Sequence, residues 1–178
     1  MHDPTSQDQA LLTWVPRLRR YARALVGNCD DADDLVQDTL ERAWAKSGLW
    51  RGKTDIRDMR AWLFSIMHNL HVDGVRRPKL HTMTLDDETP EVPVAPSQGE
   101  RLALLDLQAA LDQLPVEQKE IVLLVALEDM AYADVAKTLG IPIGTVMSRL
   151  SRGRERLRAL MDGRVNGDHA PVRLKVVK

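Results

Sequence analysis

The stretch from Tyr132 to Leu160, YADVAKTLGIPIGTVMSRLSRGRERLRAL, constrains the fold more tightly than any other part of the chain. Tyr132, Val135, Ala136 and Leu139 recur at helical spacing, Gly140 tolerates a left-handed C-cap, and Pro142 stands where a new helix can begin without losing a needed N–H. The pattern is a helix-turn-helix signal. In its second helix Val146, Leu150, Gly153, Leu157 and Leu160 share one narrow sector at about 100° per residue, while Thr145, Ser148, Arg149, Arg152 and Arg156 lie outside it. From Gly140 to Arg164 six arginines stand against Glu155 and Asp162, a net charge of +4. Such a face either enters a DNA major groove, with arginines on phosphates and short polar side chains at base edges, or is the solvated side of a bundle helix.

The near-neutral total charge of −1 over 178 residues hides strong segregation. Residues 10–29 hold Arg17, Arg19, Arg20 and Arg23 with no acid, residues 30–41 hold six acids with no base, and residues 86–100 hold five acids with no base. Blocks of this kind point to several different partner surfaces. The single Cys29 excludes an internal disulfide, and no signal peptide or membrane-spanning run is recognisable, so a cytoplasmic protein with no membrane insertion is expected.

Aromatic residues are only 4% and alternating Val/Ile/Thr runs are nearly absent, which argues against sheet and for an all-α chain. Leu11, Trp14, Val15, Leu18, Ala22 and Leu25 stripe a first helix that ends near Gly27-Asn28, with Pro16 either kinking it or marking its true start. A second helix, from about Asp31 to Lys46, has acids in its first turn, where the helix dipole favours them. Ala32, Leu35, Val36, Leu40, Ala43 and Trp44 form its buried stripe, leaving Asp34, Gln37, Asp38 and Glu41 outside as an acidic docking face. The stretch 47–58 reads as a loop. Its Trp50 either stacks a splayed base, with Arg51, Lys53 and Arg57 tracking phosphates, or folds back onto the core.

A third helix, from about Asp58 to Arg76, is striped by Met59, Trp62, Leu63, Ile66 and Leu70, with Ser65, Asn69 and Arg76 grouped on another face. The H-x-x-H-x-D of His68, His71 and Asp73 does not gather three ligands on one face, so no metal site is expected. After Pro78 the pattern dissolves into a Pro-rich acidic stretch that reads as a flexible linker, dividing the chain into two small helical domains. The expected divisions are 1–78, a linker at 79–100, a helix-turn-helix domain at 101–164 and a tail at 165–178. In the second domain Leu102, Leu105, Ala109 and Leu114 stripe a helix over 101–113. A helix after Pro115 carries Ile121, Val122, Leu124, Val125 and Leu127, and the two form the bed of the helix-turn-helix. The tail is a basic extension, a nonspecific DNA contact or a short strand.

Taken in order, DADDLVQDTLERAW, RAWLFSIMHNLHVDGVRR, LPVEQKEIVLL and YADVAKTLGIPIGTVMSRLSRGRERL resemble the successive regions of a bacterial sigma factor of the extracytoplasmic-function type, over about residues 8–162. The resemblance implies a non-enzymatic subunit, without cofactor, that binds core RNA polymerase and directs it to promoter DNA. It implies that Asp34, Gln37, Asp38, Glu41 and Arg42 dock on the polymerase. It assigns melting and reading of the downstream (−10) element to Trp50, Arg51, Lys53, Ser65, Asn69, Asp73 and Arg76, which capture a flipped base. Thr145, Met147, Ser148, Arg149, Ser151 and Arg152 then read the upstream (−35) element as duplex. Met147 stands where the family usually has a cation, and Ser151 where a larger side chain is frequent, which leaves base preference there open. PRLRRYARAL with RAWLFSIMHNL is similar to proteobacterial stress-response members, implying control by an anti-sigma factor. A stand-alone helix-turn-helix regulator would not need the acidic docking helix, and a helical metal hydrolase would need inward ligands that the spacing does not supply.

Overall fold

The computed structural model describes residues 11–46, 56–76 and 98–167, and among them the chain is wholly helical. The first helix, α1 (Val15–Val26), has Pro16 in its opening turn, so the proline starts the helix and does not kink it. Asn28 begins α2 (Cys29–Ala45) as its N-cap: its side-chain oxygen accepts the Asp31 N–H at 2.8 Å, while its amide nitrogen donates to the Asp31 carboxylate at 2.8 Å. The third helix, α3 (Ile56–Arg76), completes the first half. Leu18, Ala22, Ala32, Leu63 and Met67 are sealed between these three, and Tyr21 meets Phe64 edge to face at 5.0 Å.

Four helices follow: α4 (Gln98–Leu111), α5 (Val116–Ala126), α6 (Tyr132–Leu139) and α7 (Ile143–Gly167). Gly140 ends α6 in the left-handed region at φ 64°, a conformation a side chain resists, and the corner it makes aims α7 away from α6. Val146 and Leu150 are buried on the inner side of α7, and Gly153 allows close approach to α5. A Cβ there would stand 3.0 Å from Val122 Cγ2.

Two expected stripes are corrected. Trp44 is 59% exposed, because the inward positions of α2 are taken by Leu35, Val36, Thr39 and Ala43. The small Thr39 closes that seam with its hydroxyl donated to the Leu35 carbonyl at 2.7 Å. Leu102 and Leu105, at 55% and 63%, are likewise exposed, since α4 packs only by its C-terminal end, where Ala110 and Leu111 are buried. The expected loop at 47–58, linker at 79–100 and tail at 165–178 are each trimmed, since residues 56–58 open α3, 98–100 open α4 and 165–167 close α7; their remaining parts, 47–55, 79–97 and 168–178, lie outside the described residues.

The two halves pack against each other, α1 on α5 and α3 on α6. At the turn between α5 and α6 the Glu128 side chain is fully covered. Arg20 donates to the Leu127 carbonyl at 2.8 Å and to Glu128 Oε1 at 3.1 Å, and Arg60 donates to the Glu128 carbonyl at 2.9 Å. Arg17 Nε stands 3.3 Å from Glu128 Oε2. Elsewhere on the seam His68 Nδ1 lies 3.0 Å from Glu120 Oε1, and Gln108 reaches the Ala24 carbonyl at 3.4 Å.

Candidate nucleic-acid and docking interfaces

The acidic surface of α2 is built by helical arithmetic. With Leu35, Val36, Thr39 and Ala43 turned inward, Asp34, Gln37, Asp38, Glu41 and Arg42 are all exposed on the outer side. Gln37 donates to Glu41 at 3.0 Å, an i,i+4 pair that holds both side chains along the axis. Asp38, Glu41 and Arg42, with Ala45 and Leu70, line an open hollow of about 270 Å³. The exposed Trp44 falls one turn from Glu41 on the same side, so the surface mixes carboxylates with one large aromatic. Sequence periodicity put Trp44 in the core, and it missed Ala45 and Leu70.

On α3 the candidates divide. Asn69 and Asp73 are exposed, while Ser65 is half-buried and donates its hydroxyl to the Trp62 carbonyl at 2.7 Å. That bond leaves the Ser65 oxygen as an acceptor and occupies its donor. Arg76 ends the helix. Trp50, Arg51 and Lys53 lie outside the described residues. His68, one of the three residues weighed as metal ligands, pairs instead with Glu120.

The outer face of α7 collects the remaining candidates. Met147 is 53% exposed, Ser148, Ser151 and Arg152 are exposed, and Thr145 and Arg149 are half-buried at the rim. Ser148 donates to the Thr145 carbonyl at 3.1 Å, a back-bond that a base edge could replace. Arg152, Arg154, Arg156 and Arg158 make no ion pair among the described residues, so the cationic face is uncompensated. With Val146, Leu150 and Gly153 fixing the opposite side to α5, this face is held rigidly outward, the geometry of a major-groove reader. No helix among the described residues is long and apolar enough to cross a membrane.

Comparison with known proteins bears on the family of the chain. Residues 11–68 match the sigma2 domain of PhyR, and residues 104–157 match sigma-70 region 4. The ECF RNA polymerase sigma factor EcfG of Rhodopseudomonas palustris is 37% identical over 152 residues, covering 85% of this chain and 82% of that protein. SigM of Mycobacterium tuberculosis, another ECF RNA polymerase sigma factor, is 36% identical over 155 residues, 86% of this chain and 76% of that one. Among solved structures, the sigma factor RpoE bound to the anti-sigma factor NepR from Bartonella quintana superposes with a TM-score of 0.71 at 32% identity, covering 88% of this chain and 97% of that one. CnrH in complex with the cytosolic domain of CnrY gives 0.67 at 26% identity, covering 90% of each chain. An all-helical fold, two matched sigma regions in order and relatives of this identity over most of their length have one meaning: the chain belongs to the ECF family of bacterial RNA polymerase sigma factors.

Proposed function

We propose that this chain docks on core RNA polymerase through the outer face of α2 and reads two promoter elements with two different surfaces. Residues 1–78 dock and act on the −10 element, residues 101–164 bind the −35 duplex, and residues 79–100 tether them. The observation that carries this reading is the separation of an acidic surface containing an exposed Trp44 from an uncompensated arginine face on α7. A carboxylate-rich patch around one aromatic suits a basic protein groove, where Trp is a frequent anchor. An arginine-lined helix suits phosphate.

In this assignment Asp34, Gln37, Asp38, Glu41 and Arg42 make the polymerase contact, with Trp44 at its C-terminal edge. Trp50, Arg51, Lys53, Ser65, Asn69, Asp73 and Arg76 handle the −10 strand, Ser65 as a hydrogen-bond acceptor. Thr145 and Arg149 position phosphates while Met147, Ser148, Ser151 and Arg152 face bases. Promoter melting draws on binding energy, with no chemical step of the chain's own, and the protein works in the cytoplasm with the polymerase. The RpoE relative is bound to an anti-sigma factor, which supports the same control here.

The division of labour is tested by two variants in parallel. Asp38→Arg is expected to lose binding to core polymerase while keeping affinity for −35 duplex. Arg152→Ala is expected to do the reverse, with duplex binding weakened by about 1–3 kcal/mol. Loss of core binding by Arg152→Ala would contradict the assignment.

A further inference from the structure

Glu155 is an acid in the middle of a cationic helix, and its place on α7 is fixed by the packing of the opposite side. Val146 is wholly covered and Leu150 nearly so. Glu155 follows Val146 by nine residues, about two and a half turns, and stands exposed on the side away from it. Ser148, Ser151 and Glu155, at spacings of three and four, run in one line along the middle of that outward face. Arg154 borders the line on the side of Met147, and Arg149, Arg152 and Arg156 border it on the other.

An acid on a basic helix ordinarily pairs with arginines one turn away. Arg152 and Arg158 stand three residues before and after Glu155, yet among the described residues its carboxylate pairs with neither. Its oxygens are therefore left as acceptors on the face that the −35 reading turns toward base edges. The seven residues from Ser148 to Glu155 rise about 10 Å, close to three base-pair steps. Finger helices that read three successive bases in a major groove use a similar span. With arginines on both borders to meet phosphates, the line between them meets the bases.

A carboxylate in that place is repelled by phosphates and by the acceptor atoms that bases show in the groove. Guanine presents N7 and O6, thymine presents O4, and adenine sets its N7 acceptor beside its amino group. Cytosine alone offers an amino donor with no acceptor next to it. We infer that Glu155 is a further specificity-determining residue, accepting a hydrogen bond from the N4 amino group of a cytosine one step beyond the base pair met by Ser151. This rests on the −35 reading proposed above and deepens it. The acid lowers affinity for every duplex through phosphate repulsion, and lowers it least where cytosine stands.

The test uses holoenzyme assembled from core polymerase and the full chain, on a promoter located by transcript mapping and randomised in its −35 region. Wild type is compared with Glu155→Gln and Glu155→Ala, both of which place good helix formers at an exposed position. Wild type is expected to enrich cytosine about fivefold or more at one position of the region. Glu155→Gln should move that preference to adenine, whose N6 and N7 a glutamine amide matches, and Glu155→Ala should abolish it. Preferences at the remaining positions should stay as in wild type. A solvated acid with no base contact would change affinity evenly, so a base profile identical to wild type in both variants would overturn the assignment of Glu155 and leave the −35 reading intact. Transcription by wild type with no preferred sequence anywhere in the randomised region would overturn both.

Discussion

Gly153 shows how one residue sets the aim of a whole helix face. Its missing side chain lets α7 lie against α5, where Val122 Cγ2 and Gln118 Cβ stand 3.0 and 3.4 Å from the position a Cβ would take. Gly153→Leu should therefore overpack the seam and cost about 1–3 kcal/mol in urea unfolding, and Val122→Ala in the same chain should recover part of the loss. A second residue-scale effect is ionic. Burial pushes the His71 imidazole below its ordinary value of 6.5; Glu120 pulls it back up, and His68 and Lys119 push it further down. The unfolded chain then takes up a proton at higher pH than the folded one, so the His71 contribution is present above the ordinary value and is lost as pH falls through it toward the lowered one. Between about pH 7.5 and pH 5.5 the urea midpoint of wild type should fall more than that of His71→Gln, and taking the difference removes the opposing effect of Glu128, whose carboxyl burial pushes up against the pull of its arginines. Sequence reading found Gly153 on the packed stripe but could not find the Glu128 cluster. Arg17 and Arg20 are separated from Glu128 by more than a hundred residues, and no local pattern reports a contact closed by tertiary packing.

Among the elements, α2 and α7 share one plan: one side packs, and the other faces outward with a single sign of charge dominant, and the proposed function rests on those outward faces. Their periodicity was legible because a helix repeats its inward side every three to four residues, and Arg152, Arg154, Arg156 and Arg158 of α7 are exposed, with Arg149 half-buried at the rim. The stripe failed at Trp44, and at Leu102 and Leu105, for a common reason. Periodicity reports which residues share a side, and says nothing of whether a neighbour exists to cover it. Trp44→Ala should consequently leave stability close to that of wild type while weakening core polymerase binding at least tenfold, read by fluorescence titration. A large loss of thermal stability with unchanged binding would return Trp44 to the core. On α7, Met147 offers an apolar contact and no bidentate donor, so Met147→Arg should move base preference at its position toward guanine, as read by selection from randomised −35 duplexes.

At the scale of the whole molecule, the all-α class was readable in advance from recurring helical stripes, and the order of the two sigma regions from four motifs that resemble the family's successive regions. Their packing against each other was not, since the polar residues joining them are scattered along α1, α3, α4, α5 and the turn after α5. The central claim is that one chain joins polymerase docking to promoter choice. The most direct measurement combines the purified protein with sigma-free core RNA polymerase and maps the 5′ ends of transcripts made on genomic fragments. Co-elution with the polymerase and initiation at a discrete set of sites sharing −35 and −10 sequences is the predicted result. Tight binding to duplex DNA by the protein alone, with no association with the polymerase and no defined starts, would contradict it.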